Sequence, residues 1–243
     1  MKLKDIKYFN FESDLVTLSK KVIHNLKNDT GVCVIKNFPI SENDSALISF
    51  SEVLGEPLHE ERNIDDKTVY RVEINKSLDI PTYANTENEF WCHTDCSDFE
   101  VPPDTVMLLC ERPSITGGET FVISVNDLLE KFSNNELFML SHEVFPLRGY
   151  FYPILKMEND NTFSVRYNRA SIDISLEIGK MELEKNYLEV INKLDWIINE
   201  NKLTFRLNSG ECLITNNNTI LHGRAEFPEN SDRLMKRIRL YLY

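Results

Sequence analysis

Trp91-Cys92-His93-Thr94-Asp95-Cys96 and, far along the chain, Leu221-His222-Gly223-Arg224 are the stretches on which the fold turns. On a strand, residues i and i+2 project from one face, so His93 and Asp95 converge while Thr94 points away. His222 reads as the end of a separate strand after the Asn216-Asn217-Asn218 turn. Facing strands of a barrel bring such positions together across its mouth. Two imidazoles and one carboxylate form a ligand set suited to a divalent iron, with the remaining positions left open. Arg233 follows the second stretch, and a guanidinium beside such a metal suits an anionic co-substrate.

Working outward, short strand patterns recur near 68–74, 105–110, 119–124, 144–152, 163–168, 203–207, 211–215 and 236–243. Gly31–Ile35 reads as a buried strand. Residues 13–28 form an amphipathic helix capped by Ser13 or Asp14, with Leu15, Leu18, Val22 and Leu26 on one stripe. A second helix, around 44–54, stops at Gly55-Glu56-Pro57. Shorter helical patterns cover Asn126–Phe132 and Asn134–Ser141, and a longer one spans roughly 176–200. No βαβ alternation is apparent. The pattern predicts a mostly β chain with flanking helices, closed as a double-stranded β-helix (jelly-roll) barrel. Residues 1–243 read as one domain, with a helix-rich insertion at about 125–202.

Composition narrows the partners. A net charge of −12 argues against a nucleic acid, whose phosphates need a basic surface. Within that acidic chain, Arg233, Lys236, Arg237 and Arg239 form a basic island, read either as a charged strand edge or as an anion site. Cys33, Cys92, Cys96, Cys110 and Cys212 are odd in number and irregularly spaced, which points to a reducing compartment. Cys92 and Cys96 bracket His93, but no second Cys/His pair has zinc spacing. Lys2, Lys4 and Lys7 are not followed by an apolar signal core, and no apolar run approaches membrane-spanning length. A cytoplasmic protein acting on a small molecule, with no membrane partner, is expected. A lone histidine is usually structural, and His24, His59 and His142 fit that reading.

Context sharpens the metal motif. Gly117-Gly118-Glu119-Thr120 precedes an apolar strand, and Leu221–Phe227 is followed by Asp232-Arg233-Leu234-Met235-Lys236-Arg237. With these pieces in place the chain resembles the iron(II)- and 2-oxoglutarate-dependent oxygenases of the taurine dioxygenase superfamily. Its catalytic portion is similar to the γ-butyrobetaine hydroxylase and clavaminate synthase branches. Gly31–Pro39, Phe50–Pro57, Trp91–Thr120, Val165–Arg169 and Gly210–Leu240 carry the likeness.

The resemblance implies iron(II) held by His93, Asp95 and His222, with 2-oxoglutarate and dioxygen as co-substrates. It implies that Arg233 pairs with the distal carboxylate of 2-oxoglutarate, assisted by the Thr120 hydroxyl. Arg237 matches a position that binds an anionic substrate group in some relatives. On a strand it lies on the same side as Arg233, the alternative being a salt bridge on the barrel wall. The implied reaction couples oxidative decarboxylation of 2-oxoglutarate to hydroxylation of a small amino-acid-like or carboxylate substrate. Desaturation, cyclisation or oxidation of a carrier-bound intermediate uses the same ligand set, and a non-catalytic metal-binding barrel or a hydrolytic zinc enzyme are the readings outside this chemistry. Halogenating relatives lack the acidic ligand, so Asp95 favours hydroxylation. Two departures stand out. The clavaminate type carries Glu where this chain has Asp95, and the N-terminal metal-binding region of the butyrobetaine branch has no counterpart.

Overall fold

Asp14 opens the first helix, its carboxylate accepting the Thr17 amide at 3.1 Å. In the computed structural model, which describes residues 5–59, 68–77, 82–158 and 162–243, helix α1 (Leu15–Asn28) buries Leu18, Val22 and Leu26 as the stripe predicts. Gly31, at φ +75°, turns the chain into strand β2 (Val32–Lys36). Helix α2 (Ser45–Leu54) runs straight into strand β3 (Gly55–Pro57). Only glycine fits at position 55, since a Cβ there would lie 2.0 Å from the Tyr241 carbonyl.

Two sheets organise the described residues. The larger has seven strands. Its path runs β1 (Lys7–Asn10), β2, β13 (Cys212–Asn216), β6 (Thr105–Arg112), β15 (Leu234–Leu242) and β3, with β4 (Tyr70–Val72) also pairing β15. The smaller sheet orders β12 (Leu203–Phe205), β7 (Thr120–Ser124), β14 (Ile220–Arg224) and β5 (Phe90–His93). Ladders are antiparallel except β1–β2, which is parallel. That pair encloses α1 and makes one βαβ unit, a correction to the reading that found none.

Strand alternation assigns each face. Val122 and Ile220 of the smaller sheet pack against Val34, Leu213, Cys110 and Met235 of the larger, so the two sheets lie face to face. On the far side of the smaller sheet, Phe121, Ile123 and Leu221 pack against the helical segment. The far side of the larger sheet, with Ile35, Met107, Ile214 and Ile238, packs on α1 and α2. Each fully buried aliphatic or aromatic side chain contributes roughly 1.5–3 kcal/mol. Burial of both faces explains why Thr120–Ser124 reads as a continuous buried run.

The helical segment differs in detail from expectation. It comprises α3 (Val125–Leu129), α4 (Asn134–Leu140), α5 (Arg169–Gly179) and α6 (Lys185–Asn201). The single helix expected over 176–200 is therefore two. Gly179 is a poor helix former, and Lys180 adopts φ +50° to bond its amide back to Leu176 and Glu177. The strand expected over 144–152 is likewise a hairpin of β8 (Phe145–Leu147) and β9 (Tyr150–Tyr152). Arg148 and Gly149 both have positive φ, as a two-residue hairpin loop requires. A second hairpin joins β10 (Leu155–Met157) to β11 (Phe163–Val165). No helix among the described residues is long and apolar enough to cross a membrane.

Candidate active site

The site lies between the two sheets, and β14 is its spine. His222 stands opposite Val122 of β7 on one side and His93 of β5 on the other. Residues directly opposed on antiparallel strands project from the same face, so both imidazoles point inward, their ring centroids 4.7 Å apart. Between His222 and Arg224 the β5 ladder is irregular, the two residues Trp91 and Cys92 of β5 opposing the single Gly223 of β14. Gly223 makes that crowding possible, because a Cβ there would lie 2.6 Å from the Phe90 carbonyl.

Strand β5 ends at His93, so Asp95 lies in the turn beyond it and not on the strand. Thr94 donates its amide to Tyr167 O at 2.7 Å, and Cys96 takes φ +53°. The turn nonetheless brings Asp95 Oδ1 to 3.2 Å from His93 Nε2 and 3.7 Å from His222 Nε2. Ligand atoms of the three buried residues all lie within 4.8 Å of one another. Cys92 and Cys96 are not part of this group. Cys92 faces the helical side, where burial pushes its thiol up to about 12.

The donor set fits a cation. His93 Nδ1 lies 2.8 Å from Trp91 O; a carbonyl only accepts, so this nitrogen donates, and Nε2 is the ring atom left to face the other two residues. Nε2, 3.2 Å from Asp95 Oδ1, is the ring atom turned toward a cation shared with that carboxylate. His222 Nδ1 is buried with no hydrogen-bond partner. Burial, with the charges of His93, Arg237 and Arg239, pulls the His222 pKa down to about 3 against the opposing effect of Asp95, so its imidazole is neutral. Burial opposes ionisation of Asp95. Arg237, Arg239 and the His93 contact outweigh it and hold the carboxyl well below the usual carboxylate range.

Beyond this cluster the pocket is lined by Thr120, His222, Arg224, Arg233, Met235 and Arg237, among others. It encloses about 470 Å³ counted out to its open mouth, a volume typical of small-ligand sites. Arg233 and Thr120 are both buried. No carboxylate among the described residues pairs with Arg233, whose guanidinium lies 5.3 Å from the Phe227 ring; burial pulls its pKa down to about 10. Gly118, at φ +72°, leaves the space that guanidinium uses, since a Cβ there would lie 3.2 Å from Arg233 Nε.

Arg237 reaches the same pocket, but its Nη1 sits 3.2 Å from Asp95 Oδ2 and its Nε has no partner. Three further residues had no assigned role in the sequence reading. Arg239 Nε donates to Asp95 Oδ2 at 2.6 Å. Arg224 faces Thr120 across the ladder and donates to the carbonyls of Tyr83, Thr86 and Asn88. Asn217 bonds both backbone groups of Asp95. A period of two counted from Arg233 would have separated the inward Arg237 and Arg239 from Lys236, which pairs with Asp44 and Glu111. Of the other histidines, His142 meets Tyr187 and His59 meets Thr68, both away from the site.

Comparison with known proteins places the chain in a family. The family described as "Taurine catabolism dioxygenase TauD, TfdA family" matches residues 3–239. Human γ-butyrobetaine dioxygenase is 20% identical over 176 residues, covering 66% of this chain and 46% of the human protein. The Pongo abelii protein of the same name matches to the same extent. The chain thus spans about half the length of these curated relatives. A solved asparagine oxygenase superposes with a TM-score of 0.75 at 18% identity, covering 93% of this chain and 78% of that one. The non-haem iron oxygenase OrfP, bound to iron and α-ketoglutaric acid, gives 0.74 at 12% identity, covering 98% and 94%.

Proposed function

The chain belongs to the taurine catabolism dioxygenase TauD, TfdA family, and we propose that it is an iron(II)- and 2-oxoglutarate-dependent dioxygenase that hydroxylates a small, carboxylate-bearing, amino-acid-like substrate. The observation that carries this is the convergence of His93, Asp95 and His222 within 4.8 Å, in a pocket that also holds an unpaired, buried Arg233 beside Thr120. His93, Asp95 and His222 would hold the iron. When bound, iron supplies the oxygen-activating chemistry at the expense of 2-oxoglutarate, released as succinate and carbon dioxide. Arg233 binds the distal carboxylate of 2-oxoglutarate, a group that guanidinium matches bidentately, and the Thr120 hydroxyl donates to the same carboxylate. The protein excludes water and aims the substrate.

Charge balance favours an anionic substrate. Arg224, Arg233, Arg237 and Arg239 bring four guanidiniums to the pocket and its wall, against the carboxylate of Asp95. Iron adds two positive charges and 2-oxoglutarate removes two, so a carboxylate on the substrate lowers the remaining excess. Arg237, with its unpartnered Nε, is the group we assign to it. The relatives support that class. One is an asparagine oxygenase, and OrfP has been solved with (3S)-hydroxy-L-Arg. Asp95 supports hydroxylation over halogenation.

We read the two facing sheets as a double-stranded β-helix within one oxygenase domain over 1–243, with about 125–202 as an insertion. The free, buried cysteines support a reducing, cytoplasmic setting, and the charge of −12 supports a metabolite over a nucleic acid.

A screen for succinate release with iron(II), 2-oxoglutarate and oxygen, run against amino acids and small carboxylates, tests this reading. Product should gain the mass of one oxygen atom. A product short of two hydrogens would replace hydroxylation by desaturation or ring closure, and no succinate with any anionic substrate would sink the proposal.

A further inference from the structure

Building on the oxygenase reading, we propose that Asn217 is a positioning residue that fixes the backbone of Asp95 against the turn leading to His222. The β5–β14 ladder stops at the His93–His222 pair. Past that point, Asp95 has no place in a sheet, and an unanchored turn would let its carboxylate swing between the imidazoles and the guanidiniums. Two anchors replace the ladder. The Tyr167 backbone holds Thr94, accepting its amide and donating to its Oγ1 at 3.0 Å. Asn217 holds Asp95.

The Asn217 side chain is buried and occupies three bonding positions. Its Oδ1 accepts the Asp95 amide at 2.8 Å, and its Nδ2 donates to Asp95 O at 2.9 Å and to Pro103 O at 2.8 Å. The partners dictate the amide's orientation, because an N–H only donates and the two carbonyls only accept. Its own backbone amide donates to Asp104 O at 2.7 Å. The amide therefore stands in for a strand neighbour. Asn217 sits between β13 and β14, and His222 is the third residue of β14, so one side chain couples the carboxylate to the element bearing the distant histidine. Tight placement matters because Asp95 is divided, with Oδ1 facing the imidazoles and Oδ2 the guanidiniums.

Asn217→Asp keeps shape and the acceptor for the Asp95 amide, but sets carboxylate oxygens against two carbonyls. We expect the anaerobic Kd for iron(II), and for cobalt(II) as a spectroscopic probe, to rise roughly 10- to 100-fold, the usual effect of losing a partner that orients a ligand. The KM for 2-oxoglutarate should change less than twofold at saturating metal, since Arg233 just precedes β15 and Thr120 opens β7, away from the Asn217 turn. Asn25→Asp, at a buried amide in α1, is the control. It should lower Tm and leave the metal Kd unchanged. An N217D protein that folds and binds metal like the wild type overturns the proposal. If N217D does not fold, hydrogen exchange on the metal-free wild type decides. The Asp95 amide should be as protected as the β14 ladder, and fast exchange overturns the proposal. A wild-type chain that binds no metal overturns the oxygenase reading as well, which separates the two failures.

Discussion

Arg239 Nε donates to Asp95 Oδ2 at 2.6 Å, while Oδ1 of the same carboxylate faces His93 Nε2 at 3.2 Å. The guanidinium thus occupies one oxygen and leaves the other for a cation. Arg239→Met removes that restraint with little change in bulk, and should weaken iron(II) binding about 10-fold or more. Anaerobic cobalt(II) titration reads the effect. Unchanged affinity would show that Arg239 serves packing alone.

Arg233→Ala should weaken 2-oxoglutarate binding by at least about tenfold, because removing one partner of a buried charged pair costs roughly 2–5 kcal/mol. Near-normal affinity would sink the assignment. Asp95→Ala, by contrast, should abolish succinate formation.

Gly118→Ala should disturb the same subsite while leaving every polar side chain in place. The added methyl meets Arg233 Nε and Cδ at 3.2 and 3.3 Å, from a backbone at φ +72°. We expect a raised KM for 2-oxoglutarate, measured by succinate release, with metal affinity close to wild type. A normal KM would mean that the guanidinium moves aside freely.

Gly223→Ala should separate the imidazoles. Its methyl would meet Phe90 O at 2.6 Å and Cys92 N at 2.9 Å, both backbone atoms, so β5 must shift away from β14. Metal binding and Tm should fall together. A folded variant of normal metal affinity would contradict the account of the irregular ladder.

Glu136 gives a prediction in pH. Its carboxyl, held by Lys193 and by the Ser133 amide, is lowered to about 2. A folded value below the ordinary 4.5 means that the unfolded chain takes up the proton first as pH falls. The stabilisation is therefore complete above about 4.5 and disappears as pH drops toward 2. The part-exposed ion pair contributes about 1 kcal/mol. Urea melts of wild type and Glu136→Gln should differ by that amount near neutrality and converge in acid. A gap independent of pH would exclude this ion pair as its source.

Much of this was legible in the chain. Alternating short apolar runs announced a mostly β architecture, and α1 kept its stripe because Leu18, Val22 and Leu26 have one packing partner. His93, Asp95 and His222 could be grouped from spacing, although Asp95 reached its place through a turn and not along a strand. Pairings such as β15 between β6 and β3 join residues with no local signal. Asn217 was hidden in an asparagine run that reads as a turn, and Arg239 in a cluster of like charges. The helix over 176–200 misled because its periodicity survives across Gly179, and only the left-handed Lys180 reveals the break.

The irregular β5–β14 ladder bears on stability as well. Strand β5 lies at the edge of the four-stranded sheet, where opening is easiest. An ion held by His93, Asp95 and His222 would rivet that edge to its neighbour and close a loop from residue 93 to 222. Such a cross-link restricts the unfolded chain as it secures the folded one. On the proposed function, bound iron would also be a structural fastener, and its supply would set how long the protein survives proteolysis.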